Sequence, residues 1–202
     1  MIKLELPPLP SAEDRLFLTA EDWWNNACLH FLTDGWSLYS MGYKDAADIL
    51  VSQVEQEKHH QDTLIYPIIF LYRQYLELAI KDLIRDARKL LDINEPFPQT
   101  HSIDRLWDIC IDLLNQVSPG DSEDAIRQIK RLTDEFCIVD PTATAFRYPE
   151  DKKGKPSLQG ISSVNLRNVK EVIGKIAVIL DGAGAMIKEY QSIKSDMYSG
   201  LY

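Results

Sequence analysis

The chain has 202 residues, 45% of them hydrophobic and 26% charged, which suits one globular domain with a substantial core. A formal net charge of −9 excludes a general, sequence-blind grip on nucleic acid, which needs surplus Lys and Arg, but leaves room for a local basic site.

Residues 1–18 read as an extended arm, because Pro7, Pro8 and Pro10 oppose helix. Residues 19–202 then read as one all-α domain, a bundle of about six helices. Thr19 is placed to cap the first helix, with Asp22 three residues on completing a capping box. Ala20, Trp24, Ala27, Phe31 and Leu38 follow at helical spacing, and Gly35 and Gly42 bracket that helix's end. A second helix is predicted over residues 43–57, burying Ala47, Leu50 and Val54.

The third helix, over residues 62–91, organises the rest. Between Leu64 and Ile84 it is apolar on almost every side, as a helix buried on all sides must be. Pro67 is read as lying near its start, where a missing N–H is tolerated. Arg73, Glu77 and Lys81 interrupt it at intervals of four, so they climb one side as neighbours. Tyr72 and Tyr75 beside them are expected to supply hydroxyl partners. Such a ladder is either an ion-pair series or a polar seam in which Glu77 orients Arg73, leaving guanidinium donors for a phosphate or carboxylate.

A fourth helix opens near Thr100 or Ser102 with a stripe from Ile103 through Leu106, Trp107, Cys110, Leu113 and Leu114 to Val117. His101 at its start sits beside backbone N–H groups that suit an anion, and is a candidate neutral general base. Asp121 or Ser122 is expected to cap a fifth helix that buries Ala125, Ile129, Leu132 and Phe136. Periodicity then stops from Asp140 to about Gly160, an irregular length that is usually functional or disordered. Within it Arg147 stands between Phe146 and Tyr148, with Lys152, Lys153 and Lys155 following: a local phosphate or nucleobase site, or a solvated basic loop. A last helix is predicted over residues 163–192, with Leu166, Ile173, Ile176, Leu180 and Ile187 inward.

Cys28, Cys110 and Cys137 are odd in number, far apart and in apolar contexts, which predicts buried free thiols in a reducing compartment. No signal-like run opens the chain and no stretch suits a membrane span, so a cytoplasmic protein is expected. Glu57 and His60 have carboxylate–histidine metal spacing, but no second copy accompanies them. Neither metal nor cofactor is therefore expected. Trp23, Trp24, Trp36 and the apolar third helix offer more surface than one bundle is expected to cover, which predicts a homodimer.

Three pieces, LYRQYLELAIKDLI, THSIDRLW and DPTATAFRYPEDKKG, resemble bacterial proteins of the HEPN-like class, over about residues 60–150. The resemblance implies a dimerising helical bundle. It also implies a role in RNA or nucleotide biology within a phage-defence or toxin–antitoxin system, sometimes with a cognate protein partner. In its enzymatic form the class cleaves RNA without metal. His101 would then take the 2′-hydroxyl proton, Arg147 would steady phosphate charge, and Arg73 would position the backbone. Glu77, Lys81, Tyr148, Lys152 and Lys153 would line the ligand. Ribonucleases of that class carry an Arg followed a few residues later by a His, and this chain has no such pair. The alternative is a non-catalytic dimerising module whose polar seam is structural.

Overall fold

A computed structural model describes residues 9–29, 35–120 and 123–199. The chain divides into two compact units, Met1–Thr33 and Asp34–Tyr202. All α-helices of the described residues lie in the second unit.

The first unit holds a single turn of 3₁₀-helix at Trp23–Asn25 in place of the predicted first helix. Side chains explain the difference. The Asn26 amide donates to the Ala20 carbonyl at 2.6 Å, while the Ala20 N–H donates to Asn26 Oδ1 at 3.0 Å. This clasp closes residues 20–26 into a loop, offering the backbone an alternative to helix. Trp23 and Trp24 meet edge to face and stay exposed. Cys28 is exposed, contrary to the expectation of burial, whereas Cys110 is buried and Cys137 partly so; all three are free. Phe31 lies outside the described residues.

In the second unit, α1 spans Trp36–Glu57. It starts seven residues earlier than predicted and runs through Gly42, which was expected to end a helix. Trp36 explains the extension, because its ring packs against Phe97 at 5.7 Å and beneath Arg85 at 5.8 Å. Tertiary contact of this size overrides the ~1 kcal/mol cost of an internal glycine.

Helix α2, Gln61–Leu90, is the predicted central helix. Its buried residues, from Ile68 to Ala87, cover little more than half of the circumference, with α1, α3 and α5 packed about it, while Phe70, Leu71, Gln74 and Leu78 on the remaining side are only half-buried, contrary to the expectation of burial on all sides. Pro67 lies in its second turn rather than its first, so Thr63 loses the N–H that would have bonded its carbonyl. Both residues are exposed, which leaves that carbonyl to solvent.

Helix α3, Ile103–Val117, buries Ile103, Leu106, Trp107, Cys110, Leu113 and Leu114 as predicted. Helix α4, Glu123–Val139, packs on α3 through a face centred on Ile129. The residues expected to cap it, Asp121 and Ser122, lie outside the described residues. Helix α5, Leu166–Ser199, runs alongside α2 in the same direction and seven residues beyond its predicted end. The Gln191 amide donates to the Asp86 carbonyl at 2.7 Å, and Lys194 Nζ to the Leu90 carbonyl at 2.7 Å. The second bond satisfies an orphan carbonyl at the end of α2, and both tie α5 to it.

The structure is thus all-α, with five α-helices among the described residues rather than about six. The described residues form no strand, only an isolated bridge between Glu150 and Pro156. No described helix is long and apolar enough to cross a membrane.

Candidate functional site

Phe70, Arg73, Glu77 and Lys81 recur every three or four residues, so they share one face of α2. Two loops close over that face, one leading into α3 and one leaving α4. Arg73 is the joint between them. It is 4% exposed, and each of its nitrogens faces protein. Nη1 donates to Glu77 Oε2 at 3.2 Å, Nη2 donates to the His101 carbonyl at 2.7 Å, and Nε lies 3.7 Å from Asp140 Oδ2. Arg73 therefore frames the site from beneath, and its exposure leaves little room for a substrate phosphate.

Glu77, only 2% exposed, collects three cationic or N–H partners. Lys81 Nζ donates to its Oε1 at 2.8 Å, and His101 Nδ1 lies 2.7 Å from the same oxygen. Burial pushes this carboxyl up, but the bonds from Lys81 and His101 and the Lys81 charge outweigh burial and hold it below its ordinary value of 4.5. An ionised carboxylate only accepts, so Nδ1 of His101 carries the hydrogen. Nε2 of the neutral ring then presents its lone pair outward, and the His101 side chain is 80% exposed. The result is a solvent-facing imidazole oriented by a buried carboxylate, the arrangement a general base requires.

The depressed Glu77 carboxyl sets a pH dependence. Its folded value lies below its unfolded one, so its stabilisation is present above pH 4.5 and lost as pH falls below that toward the folded value. The stability gap between wild type and Glu77→Gln should therefore be level near neutrality and shrink below pH 4.5. Urea melts at a series of pH values measure this. A gap that widens on acidification would contradict the ion-pair assignment.

Asp140 was legible in the sequence only as the start of the irregular segment. In the structure it is 2% exposed and organises that segment. Its Oδ1 accepts N–H bonds from Thr144 at 2.7 Å and Ala145 at 2.9 Å, while Oδ2 faces Arg73. A signal was available, since an Asp closing a helix ahead of Pro is the residue type that gathers nearby backbone N–H groups. The Thr144 carbonyl accepts the N–H groups of Arg147 and Tyr148, each at 3.0 Å. The order of dependence runs from Arg73 through Asp140 to the turn that carries Arg147.

Arg147 projects its guanidinium over Phe70 at 5.8 Å and over Tyr148 at 5.3 Å. Phe70 and Glu77 are seven residues apart on one helix face, so Arg147 and His101 stand roughly 10 Å apart along the axis of α2. Arg73 and His101 thus meet directly, whereas Arg147 stands two turns away over the same face. Tyr148 is half-exposed, and Lys152 and Lys153 are exposed on a turn closed by Asp151. The Asp151 carboxylate accepts the N–H groups of Lys153 at 2.8 Å and Lys155 at 2.9 Å, which hold it below the usual carboxylate range.

The tyrosines do not join the ladder as expected. Tyr72 donates to Asp48 of α1 at 2.6 Å, and burial pushes both Tyr72 and Tyr75 well above an ordinary phenol. His59 and His60 stack at 4.3 Å. Among the described residues no group of three or more His, Cys, Asp or Glu is arranged to hold a metal ion. No family model matches this chain, and no curated protein or solved structure does so either.

Proposed function

We propose that this protein binds RNA or nucleotides across the Phe70–Lys81 face of α2 and cleaves RNA there without a metal. The supporting observation is the pairing of exposed His101 with buried Glu77 at 2.7 Å. In this reading Nε2 of His101 takes the proton from a ribose 2′-hydroxyl, the freed oxygen attacks the adjacent phosphorus, and the P–O5′ bond breaks, leaving a 2′,3′-cyclic phosphate and a 5′-hydroxyl that takes its proton from water. Arg147, with Lys152 and Lys153 near it in the chain, attracts the phosphate, and Tyr148 offers a face for a base. The net charge of −9 over the whole chain disfavours long duplexes, which suits short single strands or nucleotides. The reading also draws on the HEPN-like resemblance, which suggests a bacterial defence or toxin–antitoxin setting.

Labelled single-stranded RNA incubated with the protein in chelator tests the reading. His101→Ala should slow cleavage by at least about 100-fold, the usual contribution of a general base. Arg147→Ala should weaken binding by about 1.5–3 kcal/mol, and more salt should weaken it further. Cleavage unchanged in His101→Ala would remove the catalytic reading.

A second reading rests on Arg73. All its nitrogens face internal partners, as in a polar seam that only specifies packing. Absence of both RNA binding and cleavage would leave this non-catalytic interaction module.

A further inference from the structure

Helix α4 packs on α3, and between α4 and α5 the protein leaves a cavity of about 490 Å³. That size lies within the usual range for a small-molecule site, roughly 300–1,000 Å³. Ile69 of α2 and Val172 of α5 give it an apolar lining, joined by two rings, Phe136 of α4 and Phe146 of the irregular segment. Phe146 is 7% exposed, so its ring belongs to the interior rather than to a free loop. Rings beside branched aliphatic side chains suit a flat aromatic ligand that can stack on them.

The polar groups narrow the choice. Among the described residues, Glu135 is the one charged side chain on the lining, beside the amides of Asn165 and Asn168. Arg131 Nη1 lies 3.6 Å from Glu135 Oε2, beyond hydrogen-bond reach, so both carboxylate oxygens remain able to accept. Asn165 Oδ1 accepts the Asn168 N–H at 3.0 Å, which leaves the Asn165 amide nitrogen as a donor. A ligand matched to this set carries two adjacent N–H donors for the carboxylate and an acceptor for the amide. Of the four RNA bases, guanine has that edge, with the N1 and N2 donors followed by O6. Adenine sets the N1 lone pair against the carboxylate instead.

The cavity adjoins the face of α2 already described. Phe146 and Arg147 are consecutive, as are Ile69 and Phe70, and the Arg147 guanidinium lies over Phe70 at 5.8 Å. The side chains that line the cavity and those that hold Arg147 are therefore chain neighbours on both walls.

We propose that this cavity takes the guanine base of a nucleotide, with its Watson–Crick edge on Glu135, its ring on Phe136 or Phe146 and its phosphate toward Arg147. The proposal rests on the nucleotide reading of the α2 face and names the base. In a longer strand, Tyr148 takes the neighbouring base.

Equilibrium dialysis of the full chain against GMP, AMP and ribose 5-phosphate tests it. GMP should bind about tenfold or more tightly than AMP, the discrimination that a bidentate contact to a base edge provides. Glu135→Gln, at an exposed position, should abolish that preference and leave AMP affinity unchanged. Val172→Phe fills the cavity and should weaken GMP while sparing ribose 5-phosphate. Circular dichroism matching the wild type checks that each variant is folded. A nine-residue adenosine oligomer with one central guanine, compared with GMP, separates a strand from a free nucleotide as the source, and the guanine preference should hold for whichever binds more tightly. GMP and AMP bound alike, or a preference that survives Glu135→Gln, would overturn the proposal. Ribose 5-phosphate bound in an Arg147-dependent way, without any preference between bases, would overturn the guanine site and leave the nucleotide reading standing. Loss of all binding would remove both.

Discussion

Replacing Glu77 with alanine should cost about 3–5 kcal/mol of folding stability, far beyond the ~1 kcal/mol typical of an exposed ion pair. Glu77 is 2% exposed and gathers Arg73 at 3.2 Å, Lys81 at 2.8 Å and His101 at 2.7 Å. Its loss leaves the Arg73 guanidinium, itself 4% exposed, with only the His101 carbonyl and Asp140 as partners, and Lys81 and His101 with none at this carboxylate. Desolvation with too few partners, rather than the lost attraction, supplies most of the penalty. The Arg73→Met/Glu77→Leu double variant removes both charges and keeps volume, so it should recover much of the loss. Chemical denaturation of wild type, Glu77→Ala and the double variant provides the comparison. A nearly silent Glu77→Ala would contradict the buried-seam description.

Asp140→Ala should cost about 2–4 kcal/mol, since it strips two N–H groups of their charged acceptor and removes a carboxylate from Arg73. Asp140→Asn should cost less, because its amide oxygen still accepts from Thr144 and Ala145. The two substitutions should also differ locally. Alanine should release the turn carrying Arg147, so limited proteolysis between residues 140 and 160 should speed up more in Asp140→Ala than in Asp140→Asn. Equal cleavage rates in the two variants would show that Asp140 does not hold that turn.

The central helix was legible because a long apolar run leaves a sequence signature, although one side of it, with Phe70, Leu71, Gln74 and Leu78, is only half-buried. The stripe of α3 was legible for the same reason, as was the irregular stretch after Asp140. The candidate site was legible in part. Spacing alone set Arg73, Glu77 and Lys81 on one face, and the structure shows all three joined. Asp140 escaped notice because its partners, Arg73 and two loop N–H groups, share no periodic relation with it. The predicted first helix failed for a comparable reason, since spacing of apolar residues says nothing of the Asn26 clasp on Ala20.

The sequence by itself determined the all-α class, the buried central helix and the set of charges on its side, because helical periodicity is a local property of the chain. Only the tertiary structure decided how those charges are used. His101 reaches Glu77 across 24 positions, Arg73 reaches the His101 carbonyl across 28, and Asp140 meets Arg73 from the far end of α4. A buried charge takes whichever partner docking brings within about 3 Å, and that choice depends on how the helices pack rather than on local spacing.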